Sequence, residues 1–426
     1  MFSNITNIRI LDYYDVLNEI KRITKNKLFK KQQSVKTIHD NIEIPYYTLG
    51  NGDNHIVVVG GTHGSEIIST DFVLRLMDTI SNKKGIYSDI DLESENGFTF
   101  HFIPMHNPEG YIISTSAIRT LITKDSTEQE IEMISKKYFL NYRQDDINVK
   151  NNPEDRSHKL HQIMFKDATY ECIPEEFKEL RQSVKNIYSN ELIPKGSIVV
   201  HRGNGLGEET NRSRLAKNLS SFEEKQFYDN RYNNIDRTIP GPLGIIPKTE
   251  LIENTFLKQL IEQLFKQKKF TGALLYHGTG GMIYSKISND EEEFFDEINN
   301  TYEKEKYSFS VINRILTRQY HEDTKYITPD GNAKPGYKMI QKPNLADFDE
   351  WLRLLYPAIL LIELSYMGGN PIGPYGDKVN NYIPTMEHNL IAAFNYFKGC
   401  KKLKEIIYNS TTIVDSEISE EFIKKI

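Results

Sequence analysis

Cysteine is nearly missing from this chain, with only Cys172 and Cys400 in 426 residues. That scarcity excludes a disulfide-dense scaffold and any cysteine-rich zinc or iron–sulfur centre, and makes a reducing compartment the simplest expectation. Long apolar runs are missing too: none approaches the ~18–20 residues that span a bilayer, so no membrane partner is expected. The N-terminus, MFSNITNIRILDYYDVLNEIKRI, lacks a basic segment followed by an uninterrupted apolar one. A cytoplasmic location is therefore expected, with a secreted mature form left open. A basic surplus is also absent. Lys+Arg 53 against Asp+Glu 59 gives a net charge of -6, and nothing recommends a nucleic-acid partner. Internal repeats and low-complexity tails are not seen.

Core-building material, by contrast, is plentiful. Hydrophobic residues make up 38% of the chain, with Tyr 25 and Phe 21, enough for a large globular core at this length. Residues 1–45 read as a charged, helix-prone extension, with Leu11, Tyr14, Val16, Leu17, Ile20 and Ile23 at approximate helical spacing. From Ile44 the pattern changes. HIVVVGGTHGSE is a β-branched strand running into glycines, followed by a helix with Ile67, Ile68, Phe72, Val73, Leu76, Met77 and Ile80 on one face. FTFHFIPMHNPEGY is a second buried strand ending in a turn at Asn107–Gly110, and strand–helix–strand of this kind predicts parallel pairing in an α/β sheet. Residues 115–195 carry two charged amphipathic stretches, Thr127–Tyr142 and Pro174–Tyr188, and read as a helical insertion on the surface of a main domain spanning 46–400. Strand texture resumes at Ser197–His201, Phe270–Gly281 and Tyr356–Gly369, while Glu291–Glu305 is an acidic surface stretch and 401–426 a C-terminal tail.

Several of these strands end in polar residues: His63 and Glu66, Asn107, Arg202, His277 and Glu363. In open α/β sheets ligands bind beyond the carboxyl ends of strands, so residues far apart in sequence can converge there. His63-Gly64-Ser65-Glu66 is an H-x-x-E pair; a catalytic zinc takes three such N/O ligands and keeps one position open. The alternative is a polar loop with Glu66 favouring a helix N-terminus. His277, followed by Gly-Thr-Gly-Gly, is the candidate third ligand, or else a satisfied strand-end histidine. Glu363 closes the apolar run Ala358–Ile362, where a carboxylate needs either a salt-bridge partner or a function, such as general base. Arg202, Asn211 and Arg212 offer donors suited to a carboxylate or an oxyanion.

Taken in order, these blocks resemble the carboxypeptidase A family of zinc metallocarboxypeptidases. GGTHGSE matches the family's first two ligands. HNPEGY stands for its Asn-Pro-Asp-Gly-Tyr with Glu109 replacing Asp, and HRGNGLGEETNRSR supplies Arg202, Asn204, Gly207, Glu209, Asn211 and Arg212 at similar spacing. LLYHGTGG and LLIELSYMGG match the later strands with the last ligand and the base.

The resemblance implies a three-layer α/β/α fold with a mixed, mostly parallel central sheet of the eight-stranded type. It implies one Zn2+ per chain on His63, Glu66 and His277, and a peptide substrate with a free C-terminal carboxylate. Glu363 would assist attack of a zinc-bound water on the amide, Arg202 would meet the oxyanion, and Asn211 with Arg212 would clamp the terminal carboxylate. Glu209 would orient His63. The family's mobile tyrosine falls by count on Gln341, which leaves Tyr337 as the nearest substrate-binding candidate. The residue tuning the side-chain pocket falls near Phe348, flanked by Asp347 and Asp349.

Three rival readings stay in view. The first is a zinc amidohydrolase of N-acyl amino acids, like aspartoacylase and succinylglutamate desuccinylase, whose opening motif GGTHGSE also resembles. The second is a carboxypeptidase for cell-wall peptides. The third is a catalytically inactive binding protein on the same fold.

Overall fold

The computed structural model describes residues 11–119, 125–127, 129, 130, 133, 162–164, 169–188, 197–199, 201, 203–211, 247, 249–278, 281–284, 309–327, 333–340, 348–364 and 382–409. In chain order the elements are α1 (Tyr13–Ile23), β1 (Phe29–Lys31), β2 (Tyr47–Leu49), β3 (Asn54–Val59), α2 (Ile67–Ser81), β4 (Phe98–Ile103), α3 (Pro108–Ile118), β5 (Gln162–Met164), α4 (Lys178–Tyr188) and β6 (Ser197–Val199). Then follow α5 (Ile252–Lys266), β7 (Phe270–Gly278), β8 (Met282–Tyr284), α6 (Phe309–Asp323), β9 (Lys325–Ile327), β10 (Ala333–Pro335), β11 (Lys338–Ile340), α7 (Phe348–Leu355), β12 (Ile359–Leu364) and α8 (Tyr382–Asn409).

Eight strands form one mixed sheet in the order β1-β2-β4-β3-β7-β12-β8-β11. The four central strands, β4, β3, β7 and β12, run parallel, and β2 and β8 join them antiparallel on either side. Central strands buried on both faces explain the near-continuous apolar runs of β3 and β7. Side chains alternate across the sheet. Ile56, Val58, Leu274, Tyr276, Leu360 and Ile362 enter a core with α2, α6 and α8, whereas Val57, Val59, Ala273, Leu275, Ile359 and Leu361 enter a second core with α5 and α7. The result is the expected three-layer arrangement.

Chain direction sets where a ligand can sit. From β3 the chain crosses through α2 to β4 on one side, and later returns to β7 on the other side of β3. The order therefore reverses at β3/β7, and the crevice beyond their carboxyl ends is the topological switch point.

Three expectations about organisation change. The stretch 1–45 is not a separate extension over its described part. Val16, Ile20 and Ile23 of α1 belong to the main core and β1 pairs with β2 in the main sheet, because the helical apolar stripe needed a face to cover. Position 400 is not a boundary, since α8 runs without a break to Asn409 and buries Leu403 and Ile407 in the core. Ser197–Val199 does not join the main sheet; it pairs antiparallel with Gln162–Met164 in a two-stranded sheet of its own. In the described part of 115–195, Phe177, Leu180 and Val184 form a small cluster with Ile42, Ile112 and Ile113. The helix there starts at Lys178, whereas Thr127–Tyr142 for the most part, and Glu291–Glu305 entirely, lie outside the described residues.

Candidate metal centre

After Val59 the chain leaves the sheet through Gly60 and Gly61, the latter at φ +65, a conformation costly for any residue with a Cβ. His63 and Glu66 then form a single turn, with the Glu66 amide donating to the His63 carbonyl at 3.0 Å, and α2 starts immediately after. This turn brings the two side chains of H-x-x-E to one side, where His63 Nδ1 lies 2.8 Å from Glu66 Oε1. His277, next to last in β7, completes the group: its Nδ1 lies 3.2 Å from His63 Nδ1 and 3.1 Å from Glu66 Oε2. All three residues are buried and their ligand atoms fall within 4.8 Å of one another.

The donor set fits zinc. Two imidazole nitrogens and a carboxylate leave a fourth position free, and ligands ~2.0–2.2 Å from one ion stand roughly 3.3–3.6 Å apart, close to the separations seen. Two Nδ1 atoms facing each other at 3.2 Å need a cation or a proton between them. Electrostatics point the same way. Burial raises the Glu66 carboxyl, but the adjoining His63 and His277 outweigh it and hold the group well below the usual carboxylate range. Burial lowers His277, but its hydrogen bonds to the Asp349 and Glu66 carboxylates outweigh that and raise it well above the ordinary histidine value. The cluster is built to keep positive charge.

Each histidine is held from behind by a carboxylate. His63 Nε2 lies 2.8 Å from Glu209 Oε1, and His277 Nε2 lies 2.6 Å from Asp349 Oδ2. Glu363, half-buried, pairs directly with His277 in the parallel register of β12 and β7. Alternation along both strands places the two side chains on the same face of the sheet.

The sequence blocks seen as separate motifs press together here, backbone on backbone. A Cβ on Gly64 would sit 2.1 Å from the Gly110 carbonyl carbon, and one on Gly110 would sit 2.2 Å from the Gly203 carbonyl oxygen. Asn107 fastens the stack, accepting from the Gly110 amide at 2.9 Å and donating to the Gly203 carbonyl at 2.9 Å. Glu109, standing where the resembled family has Asp, is buried and accepts from the amides of His39 and Gly205 at 2.8 and 2.7 Å.

Of the remaining expected site residues, Arg202 and Arg212 lie outside the described residues. Asn211 is buried beside the cluster; its amide donates to Glu209 Oε1 at 3.2 Å and its Oδ1 accepts from the Asp349 amide at 3.1 Å. Tyr337 is placed in the main core instead of beside the triad. Its hydroxyl accepts from Asn389 Nδ2 at 2.7 Å, and Asn389 also accepts from Tyr320. Phe348, the first residue of α7, is fully buried and packs with Leu352 against the sheet.

Asp349 was visible in the sequence only as a neighbour of Phe348, and its contact with His277 was not foreseen. The available signal was an acidic residue in the first turn of a short amphipathic helix preceding the Glu363 strand. His106 was also missed: fully buried, it lies 3.0 Å through Nε2 from the Glu253 carbonyl, on the flank of the cluster.

Residues 27–152 match the family model described as zinc carboxypeptidase. His63, Glu66 and the Asn107–Tyr111 motif lie within that span; Glu209, His277 and Glu363 lie beyond it. No curated protein matches the chain. Among solved structures, bovine thrombin-activatable fibrinolysis inhibitor in complex with tick carboxypeptidase inhibitor aligns at 12% identity over 92% of this chain and 98% of that one, with TM-score 0.47. Carboxypeptidase A from Helicoverpa armigera aligns at 9% identity over 94% and 78%, with TM-score 0.49. A metallo-carboxypeptidase from Burkholderia cenocepacia aligns at 8% identity over 91% and 69%, with TM-score 0.41.

Proposed function

We propose that this chain, which carries a zinc carboxypeptidase segment, is a zinc-dependent carboxypeptidase hydrolysing the amide bond next to the free C-terminal carboxylate of a peptide. The observation that supports this most is the convergence of His63 Nδ1, Glu66 and His277 Nδ1 at the switch point, with Glu363 in register beside His277. Zinc bound by these three residues would supply a Lewis acid that polarises the scissile carbonyl and makes water more acidic.

The remaining chemistry belongs to side chains. Glu363 takes a proton from the attacking water and returns it to the leaving amine nitrogen, so that one water is added across the C–N bond. Glu209 and Asp349 keep both imidazole rings turned with Nδ1 toward the common centre. Asn211, adjoining the cluster, is assigned to the terminal carboxylate together with Arg212, and Arg202 to the developing oxyanion; the two arginines enter on their motif alone. Tyr337, engaged in the core, has no part in this reading.

Elemental analysis of the purified protein should find about one zinc per chain. Short peptides should lose single residues from their C-termini. Glu363→Gln should retain zinc while kcat falls ~10²–10⁴-fold. A variant within tenfold of wild type would remove Glu363 as base. Cleavage of N-acyl amino acids with peptides left intact would move the reading to an amidohydrolase.

A further inference from the structure

We infer that Asp349 is a positioning residue for the metal centre, holding His277 by Nε2 so that Nδ1 meets His63 and Glu66, and that Asn211 couples it to Glu209. The inference rests on the zinc reading above and adds a contact outside the three ligands and the base.

The argument begins with the helix. Phe348 and Leu352 place α7 on the sheet face that also takes Ala273, Leu275, Ile359 and Leu361. His277 has the same parity on β7 as Ala273 and Leu275, so its ring rises on the α7 side and meets the first turn of that helix. Asp349 stands there, 1% exposed, with Oδ2 at 2.6 Å from His277 Nε2. The first two amides of the helix are already held by the neighbouring loop, the Asp349 amide by Asn211 Oδ1 and the Phe348 amide by the Asn211 carbonyl at 3.3 Å.

An imidazole has a broad second torsion, so nothing internal to His277 fixes Nδ1 toward the ion position. A carboxylate accepting the Nε2 proton fixes both the tautomer and the ring plane, and makes Nδ1 a stronger donor. Glu209 does the same for His63. The two carboxylates are linked by a single residue: the Asn211 amide holds Glu209 while its side-chain oxygen holds the backbone at Asp349. The loop after β6 and the helix α7 thus set the two rings jointly.

The test compares wild type with Asp349→Asn, which keeps the side-chain size and the amide bond to Asn211 but removes the charge. Zinc affinity is measured by competition with a chromophoric chelator, together with the zinc-induced rise in Tm and the visible bands of the cobalt-loaded protein. The expected result is a zinc Kd weakened about 10–100-fold, altered cobalt bands and an unchanged far-UV circular dichroism spectrum, with Glu209→Gln losing affinity to a similar degree. A merely structural role would lower Tm with and without zinc alike and leave Kd within about threefold of wild type, far short of the loss expected of an orienting partner, and that overturns the inference. Should Asp349→Asn not fold, Asp349→Glu, which moves the charge by one methylene, must weaken zinc in the same way; unchanged affinity there is equally fatal. A wild-type protein that takes up neither zinc nor cobalt refutes the functional reading itself, whereas tight wild-type binding matched by Asp349→Asn refutes only the role of Asp349.

Discussion

Strand β3 has a histidine cluster near each end, and the two behave in opposite ways. Beyond its carboxyl end, His63 and His277 are surrounded by Glu66, Glu209 and Asp349. Near its amino end, His55 Nδ1 lies 2.7 Å from His101 Nε2, and His101 Nδ1 lies 2.7 Å from the Tyr46 hydroxyl. Among the described residues, no carboxylate takes part in that second chain of hydrogen bonds. Burial there lowers His101 to about 3 and His55 to about 4, helped for His55 by Lys269 and Lys404. The contrast teaches that buried imidazoles alone do not make a metal centre. One set is surrounded by negative charge and calls for a cation; the other is satisfied while neutral and packs as core.

The largest effects that sharpen this contrast lie at the carboxyl end. His277→Ala should abolish stoichiometric zinc and reduce activity beyond the ~10²–10⁴-fold expected from losing a base alone, since only two of the three candidate ligands would remain. Elemental analysis beside His101→Gln, which should keep its zinc, checks the comparison directly; equal zinc loss in both variants would break it. Gly64→Ala comes next. The added methyl meets the Gly110 backbone at 2.1 Å, so the motifs must separate, at a cost of about 1–3 kcal/mol measurable by denaturant unfolding.

The sequence carried one end of β3 far better than the other. GGTHGSE could be read because the chemistry is local: glycines for a tight turn, then two candidate ligands three positions apart. His277 and Glu363 were legible as polar ends of apolar strands, and the register of β7 against β12 turned that hint into adjacency. Asp349 was not, because its role depends on how α7 lies across the sheet. The environments of Tyr337 and Phe348 were hidden for a related reason. Counting along a chain locates a position but not the face it presents, and both were claimed by a core. The His55–His101 pair had no signal either, since its partners lie on different strands.

A smaller effect concerns Glu253, on the first turn of α5, a carboxyl whose burial outweighs the opposing pull of His39. Burial raises it from 4.5 to about 8, reinforced by Glu109, and its Oε2 makes no hydrogen bond among the described residues. Because the folded value lies above the unfolded one, the stability it contributes is full below about pH 4.5 and is lost as pH rises through about 8. Glu253→Gln imitates the protonated form. Its Tm should therefore match wild type near pH 5 and exceed it above pH 8; a constant difference across that range would show that Glu253 does not titrate with folding.

The smallest expected effect belongs to the neutral pair. His101 takes up a proton at about pH 6.5 when unfolded but only near 3 when folded. Between those values the unfolded chain binds more protons, so stability falls as pH drops from about 6.5 toward 3. His101→Gln keeps a hydrogen-bonding side chain and removes the titration. At pH 8 the variant should be the less stable, having exchanged a ring that fits between Tyr46 and His55 for a flexible amide. As pH falls the wild type alone is penalised, so the gap should narrow and then reverse. Denaturant melts of chelator-treated protein at pH 8, 6 and 4.5 separate this from acid release of zinc. A gap independent of pH would mean that the two histidine clusters differ less in their electrostatics than their partners suggest.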